Sequence, residues 1–308
     1  MILYKYLNVE GSKATIGNNC VRLRKPSEYN DAFDTEFFLS KREKRKAFNL
    51  FVNYNSFKEL YELATSEGFH AIRYAYYWNI LKKNVLSIAK ITKRDKKYSS
   101  HLDITLFYCL GKMAIRQNDE ELKKQFDSVL SNVCKQIKNN VLLSCFSTQY
   151  DSVLMWAHYA ENNKGACFEF DVNPKEYSKV KYSRRMRVFQ LTKLLKYYFG
   201  HEFAGEKINL DDKKYDFALK PYLTKSIDWS YENEYRCSFS DKSTDERIDY
   251  QPKITLLGTT GIRKIILGCK ASKDFEDFMK KKAAEKKIPV FKIVPVEGKY
   301  KFVLVSLQ

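Results

Sequence analysis

Apolar and polar residues along this chain fall into blocks that read as strands, then helices, then strands again. Residues 2–7 (ILYKYL) and 21–24 (VRLR) have the composition of short strands, the second stopped by Lys25-Pro26. Residues 30–34 (NDAFD) follow as turn formers. From Thr35 to Asn139 the spacing is mostly helical. FKELYELATSEG carries a stripe at Phe57, Leu60 and Tyr61 with Gly68 as its stop. Ala71 to Ala89 is long and aromatic, and ITLFYCLGKMAIRQ and EELKKQFDSVLSNVCKQI continue the helical pattern.

The central stretch, residues 140–172, predicts strand, helix, turn and strand. Leu142, Leu143, Cys145 and Phe146 form a short apolar run. Asp151 or Ser152 can cap the helix that follows, whose stripe is Val153, Trp156, Ala157 and Ala160. Gly165 is available for a left-handed helix end. Residues 166–172 then alternate, with Cys167 and Glu169 on one face and Phe168 and Phe170 on the other. Ser144, Ser147, Thr148, His158, Tyr159 and Glu169 stand near the ends of these otherwise apolar elements, where sites tend to be built.

Further strands are predicted at 179–182, at 231–239 (YENEYRCSF), and at ITLLG and IRKIILGCKA. Helices are predicted over Phe189–Tyr198, Tyr215–Ser226 and Asp274–Lys287, the last stopped by Pro289. The final run, VFKIVPVEGKYKFVLVSL, reads as a hairpin turning near Glu297-Gly298. Strands at both ends with helices between them predict an α+β fold with a mixed or mainly antiparallel central sheet and an inserted helical block. The expected organisation is one α+β domain over 1–308. Residues 35–140 form a mostly helical insertion or cap, and 141–308 carry most of the sheet.

Composition adds a large core and a strong charge. The chain is 44% apolar and 15% aromatic, and its formal charge is +18 at pH 7. Such a charge favours encounter with nucleic acid or nucleotides, and it also arises from a Lys-rich composition alone. The seven cysteines form no CxxC pair, which points to a reducing compartment and away from a zinc site or disulfide framework. No apolar run approaches the roughly 20 residues of a membrane helix, and the start of the chain has no signal-peptide pattern. A soluble, cytoplasmic protein without membrane contact is therefore expected.

Candidate chemistry centres on the 231–239 strand. Glu232, Glu234 and Arg236 share one predicted face, with Tyr231, Asn233 and Tyr235 on the other. That face is either solvated, with a weak cross-strand ion pair, or it sets a carboxylate against a developing positive charge. In the second case Glu234 stabilises an oxocarbenium-like centre, Glu232 positions a nucleophile, and Trp229 with Tyr231 stacks a ring. His158 is either a hydrogen-bonded structural residue or a general acid or base. Its distance in sequence from His70, His101 and His201 speaks against a metal site, and none is expected. Asn30, Asp31 and Asp34 cap a turn or bind a divalent cation; a metal-dependent nuclease using Asp31, Asp34 and Glu169 ranks last among the functions. Cys145 is a core thiol or a nucleophile paired with His158. No P-loop or G-x-G-x-x-G pattern is present. The basic, aromatic run over 181–196 is either a solvated helix face or a phosphate-tracking surface.

Four motifs in order, LYKY, YNDAFD, CFST with MWAHYAENNKGACFEFD, and SIDWSYENEYR, resemble the domain of unknown function 2971 family. Ala32 departs from it, since the family often places proline there. The resemblance implies a bacterial protein, with some relatives linked to defence or toxin functions. A second resemblance is to ADP-ribosyltransferases. It rests on motif order: Lys5 or Tyr6 on a first strand, Ser147-Thr148 in the middle, and the E-x-E of Glu232-Asn233-Glu234, without the usual first-strand arginine or histidine. This second resemblance implies NAD as substrate, hydrolysed or used for ADP-ribosyl transfer. Glu234, Glu232 and His158 would be catalytic, and Tyr4, Tyr6, Ser147, Trp156, Tyr159, Trp229 and Arg236 would bind substrate. The alternative is a non-catalytic nucleic-acid-binding module.

Overall fold

The computed structural model describes residues 1–36, 38–52, 140–190, 220–241, 243–252, 254–259 and 261–307. The predicted helices between residues 53 and 139, the 191–198 part of Phe189–Tyr198, the 215–219 part of Tyr215–Ser226, and His70, His101 and His201 lie outside these residues. By contact the chain forms two compact units. One comprises Met1–Glu36, Asn140–Met186 and Tyr222–Gln308; the other comprises Phe37–Asn139 and Arg187–Pro221. In the second unit the described residues include α2 (Lys41–Val52) and a parallel bridge between Phe38 and Val188.

In the first unit, β1 (Ile2–Leu7) leads into α1 (Val9–Asn18) and β2 (Cys20–Leu23). Hydrophobic spacing does not predict α1, which contains Gly11 and Gly17. It is fixed from outside, by the Asn8 side chain accepting from the Gly11 N–H at 2.8 Å and by burial of Ile16. The middle elements are β3 (Val141–Ser147), α3 (Val153–Tyr159) and β4 (Ala166–Asp171). The predicted strand at 179–182 divides into β5 (Ser178–Lys179) and β6 (Lys181–Ser183), because buried Val180 turns the chain from one partner strand to another. The predicted helix ending at Ser226 is, in its described part, a short 3₁₀ turn and β7 (Thr224–Ser226).

Then come β8 (Glu234–Ser240), β9 (Ile248–Gln251), β10 (Ile254–Gly258) and β11 (Ile262–Leu267). The chain closes with α4 (Lys273–Glu285), β12 (Val290–Pro295) and β13 (Phe302–Ser306). The last two form the expected hairpin, with Gly298 at φ +68°.

The main sheet has the order β13-β12-β11-β4-β1-β3-β8-β5. All its described pairings are antiparallel except β11–β12, which α4 joins by a crossover as a parallel pair requires. The architecture is thus α+β with a mixed, mainly antiparallel sheet. On one face, α1 and α4 bury Ile16, Phe275, Met279 and Ala283 against Leu3, Phe168, Phe170 and Ile265. On the other, α3 lays Met155, Trp156 and Ala160 over Tyr6, Cys167, Ile266 and Ile293. Val153, predicted in the α3 stripe, is 42% exposed; the helix buries Met155 and Trp156 instead. No helix among the described residues is long and apolar enough to cross a membrane.

Two glycines set the approach of loop to sheet after α3. A Cβ at Gly165 would lie 2.0 Å from the Leu7 carbonyl oxygen, and one at Gly268 the same distance from that of Asn163. The left-handed turn expected at Gly165 is made instead by Glu161, Asn162 and Asn163, all at positive φ. Gly165 is required for close packing, not for its backbone angle.

Candidate functional site

The E-x-E motif does not form one strand face. Residues Ile227–Glu232 form a 3₁₀ helix, capped by Ser226, and the strand starts only at Glu234. Asn233 joins the two in the left-handed conformation at φ 44°, which asparagine tolerates better than most residues. The junction is pinned by neighbours. Ser147 Oγ donates to the Glu232 carbonyl at 2.6 Å, and the Tyr182 hydroxyl accepts from the Glu234 N–H at 2.8 Å. Glu232 and Glu234 therefore sit on different elements, and their carboxylates still converge.

They converge on Lys225. Its Nζ lies 2.7 Å from Glu232 Oε2, 3.4 Å from Asp34 Oδ2 and 3.7 Å from Glu234 Oε2. It also lies 4.6 Å from the centre of the Trp229 ring. Arg236 completes the network. Its Nε donates to Glu234 Oε1 at 2.7 Å, its Nη2 to Glu234 Oε2 at 3.0 Å and Asp34 Oδ2 at 2.8 Å, and its Nη1 to the Tyr222 carbonyl at 2.7 Å. Arg236 is 0% exposed, and all five side chains are buried. The solvated-face reading of this motif is overturned, because charges this deep are held only by partners.

The two glutamates respond oppositely. Burial raises Glu232 to about 6, against the opposing pull of Lys225. Burial would raise Glu234 too, but the Arg236 guanidinium and Lys225 bring it down to about 2. Lys225 stays protonated: burial lowers its pKa, but Glu234, Asp34 and Glu232 together raise it more. Glu232 Oε1 accepts a 2.5 Å hydrogen bond from the Tyr159 hydroxyl on α3, whose pKa is raised by burial and then by Glu232. Above this trio stand three rings. His158 is exposed, and its ring centroid is 6.2 Å from Tyr231, stacked at 29°, and 6.3 Å from Trp229. Trp229 and Tyr231 are half-buried with centroids 6.0 Å apart.

The structure thus brings Glu232, Glu234, Arg236, Tyr159, Ser147, His158 and Trp229 into one neighbourhood. Other expected residues lie elsewhere. Trp156 is fully buried, its Nε1 donating to the Tyr150 carbonyl at 2.7 Å, and Tyr6 packs edge-on against it. Both are core residues and present no surface to a substrate. Lys5 faces the opposite side of the sheet, donating to Ser144 Oγ at 2.8 Å and the Cys145 carbonyl at 2.9 Å. Tyr4 donates to Glu169 Oε2 at 3.0 Å. Cys145 does not pair with His158. Its thiol donates to the Tyr29 hydroxyl, and burial pushes its pKa far up, away from thiolate chemistry.

Asp31 caps the turn as expected, accepting from the Phe33 N–H at 2.9 Å. Asp34 does not. It is drawn into the ion network, beside Thr35 at φ 60°. No group of three or more His, Cys, Asp or Glu among the described residues is arranged to hold a metal ion. Lys225 escapes the sequence reading, and Tyr182, read there as one of the aromatics in the basic 181–196 run, instead accepts from the Glu234 N–H. The one local signal for Lys225 is a lysine immediately before SIDW, in an aromatic stretch.

Residues 155–237 match the model of a family described as protein of unknown function (DUF2971). The resemblance to the domain of unknown function 2971 family is borne out over that segment. The segment holds His158, Tyr159, Lys225, Trp229, Tyr231, Glu232, Glu234 and Arg236. No curated protein and no solved structure matches the chain.

Proposed function

We propose that this chain, which carries the DUF2971 segment, is a glycosyl-transfer enzyme acting on a nucleotide-like substrate, by NAD hydrolysis or NAD-dependent ADP-ribosyl transfer. One observation carries the reading. A buried carboxylate raised to about 6, Glu232, is held between Lys225 and Tyr159 beside an open group of rings, His158, Trp229 and Tyr231. Perturbed acids beside ring-binding surfaces are where proton transfer is built.

The roles differ from those expected of the motif. Glu234 is bound at both oxygens by Arg236 and is a positioning residue that holds the network's charge. Glu232 is the working carboxylate. As the glycosidic C–N bond breaks, its electron pair leaves with the nicotinamide nitrogen. The negative charge on Glu232 stabilises the oxocarbenium-like centre. Water or an acceptor hydroxyl then forms the new C–O bond, and its proton passes to the half-buried Tyr159 hydroxyl as that hydroxyl gives its own proton to Glu232 Oε1. Trp229, Tyr231 and His158 stack the departing ring.

Incubation of the full chain with NAD tests this, with and without protein and nucleic-acid acceptors, by measuring nicotinamide release. The expected rate rises through pH 6 as Glu232 ionises. Glu232→Gln is expected to lower it by roughly 10²–10⁴-fold. Absence of release by the wild-type protein between pH 5 and 9 overturns the proposal.

A second reading, nucleic-acid binding without catalysis, rests on a separate observation. Lys181, Arg184 and Arg185, beside β7, are exposed and have no acid partner among the described residues. It predicts affinity for polyanions that Trp229→Ala leaves unchanged.

A further inference from the structure

A single line of paired residues crosses five strands of the main sheet. Lys264 on β11 pairs with Glu169 on β4, and Glu169 with Tyr4 on β1. Tyr4 pairs with Ser147 on β3, and Ser147 with Glu234 on β8. Directly paired residues project to the same face of a sheet. The line therefore runs across the face that carries α3, where the next position along the strands is the apolar Tyr6, Cys167 and Ile266 under that helix. Its inner end is Glu234, in the ion network.

The outer end is a second cluster with its own chemistry. Glu169 Oε2 accepts from the Tyr4 hydroxyl at 3.0 Å and from Lys264 Nζ at 2.8 Å. Both donors take the same oxygen, and no described residue donates to Oε1. The Tyr4 and Tyr150 rings are 5.6 Å apart, and Lys264 Nζ is 5.6 Å from the centre of the Phe291 ring. Tyr4, Tyr150, Lys264 and Phe291 are all half-buried, so the cluster meets solvent. A carboxylate with a spare oxygen, a cation and aromatic rings at a half-open surface is more than an isolated ion pair needs.

We infer that Tyr4, Tyr150, Glu169 and Lys264 form a second subsite, which takes the distal nucleoside of a dinucleotide. This inference rests on the proposed function and names the substrate class of that site. Tyr150 stacks the base and Glu169 Oε1 accepts from the ribose hydroxyls, while Lys264, one strand farther from β8, holds Glu169 Oε2 in place. An acidic side chain serves ribose in this way in dinucleotide-binding folds generally. Three strand spacings, roughly 14 Å, separate Glu169 on β4 from β8, into which the 3₁₀ helix bearing Trp229, Tyr231 and Glu232 leads. That span suits two linked nucleotides, not one.

Calorimetric titration of the full chain with adenosine monophosphate, and separately with nicotinamide mononucleotide, tests the assignment. Both are expected to bind. Glu169→Gln is expected to weaken the adenosine nucleotide about tenfold and to leave the nicotinamide nucleotide within about twofold, while Trp229→Ala does the reverse. Tyr150→Ala, which leaves the Glu169 ion pair intact, is the second variant, with the same expected loss for the adenosine nucleotide. Binding of the nicotinamide nucleotide alone overturns the second subsite while the proposed reaction stands. So does an adenosine-nucleotide affinity that neither Glu169→Gln nor Tyr150→Ala moves. Failure of both nucleotides to bind overturns the two readings together.

Discussion

Glu232 and Glu234 are separated by one residue and titrate in opposite directions because their partners differ. Glu234, with Arg236 on both oxygens, is held at about 2, below the ordinary carboxylate value of 4.5. It contributes stability that is present above pH 4.5 and lost as pH falls toward 2, about 3 kcal/mol in all. Glu232, raised to about 6, works the other way. Its contribution is fully present below pH 4.5 and declines by about 2 kcal/mol as pH rises through 6. The pair alone therefore gives a stability maximum near pH 4.5. Denaturant unfolding across pH 3–7 is expected to show it, with the decline above pH 4.5 absent in Glu232→Gln. Arg236→Leu is expected to cost about 3–5 kcal/mol at pH 7, because it strands two buried carboxylates.

At the scale of elements, the junction between the 3₁₀ helix and β8 makes the site possible. A continuous strand would carry Glu232 and Glu234 side by side along one face. The left-handed Asn233 breaks the strand and turns Glu232 toward Tyr159 on α3. That encounter requires α3 to sit close on the sheet, which in turn depends on the loop packing at Gly165 and Gly268. Gly268→Ala places a methyl against the Asn163 carbonyl and is expected to destabilise the fold by at least about 2 kcal/mol in equilibrium unfolding. The weak propensity of α1 is a parallel case. Two glycines make it a poor isolated helix, and its stability comes from Asn8 and from the core residue Ile16.

For the whole molecule, the charge of +18 acts independently of the buried network, whose three acids and two bases nearly cancel. Duplex DNA is expected to bind weakly at 50 mM salt and to lose roughly 10³-fold in affinity by 200 mM, since that attraction works by counterion release. An affinity insensitive to salt would contradict a phosphate-led contact. Trp229→Ala, measured in the same titration, separates general attraction from the stacking site.

Period-two alternation and turn formers made much of the sheet legible in the sequence. β1, β4, β11 and the β12–β13 hairpin lie where residue pattern alone predicts them, because short runs of β-favouring apolar residues between turn formers suit strands that, like β4, are covered on both faces. The E-x-E motif and its aromatic neighbours were legible as chemistry for the same local reason: charges and rings crowd one short segment. What the tertiary structure alone decided is which side chains meet. Asp34 and Arg236 are 202 positions apart yet share a 2.8 Å hydrogen bond, and Lys225 becomes the hub only once three acids surround it. Periodicity carries the direction in which each residue faces. It carries nothing about the partner across the fold, and burial with that partner is what sets a carboxylate's pKa.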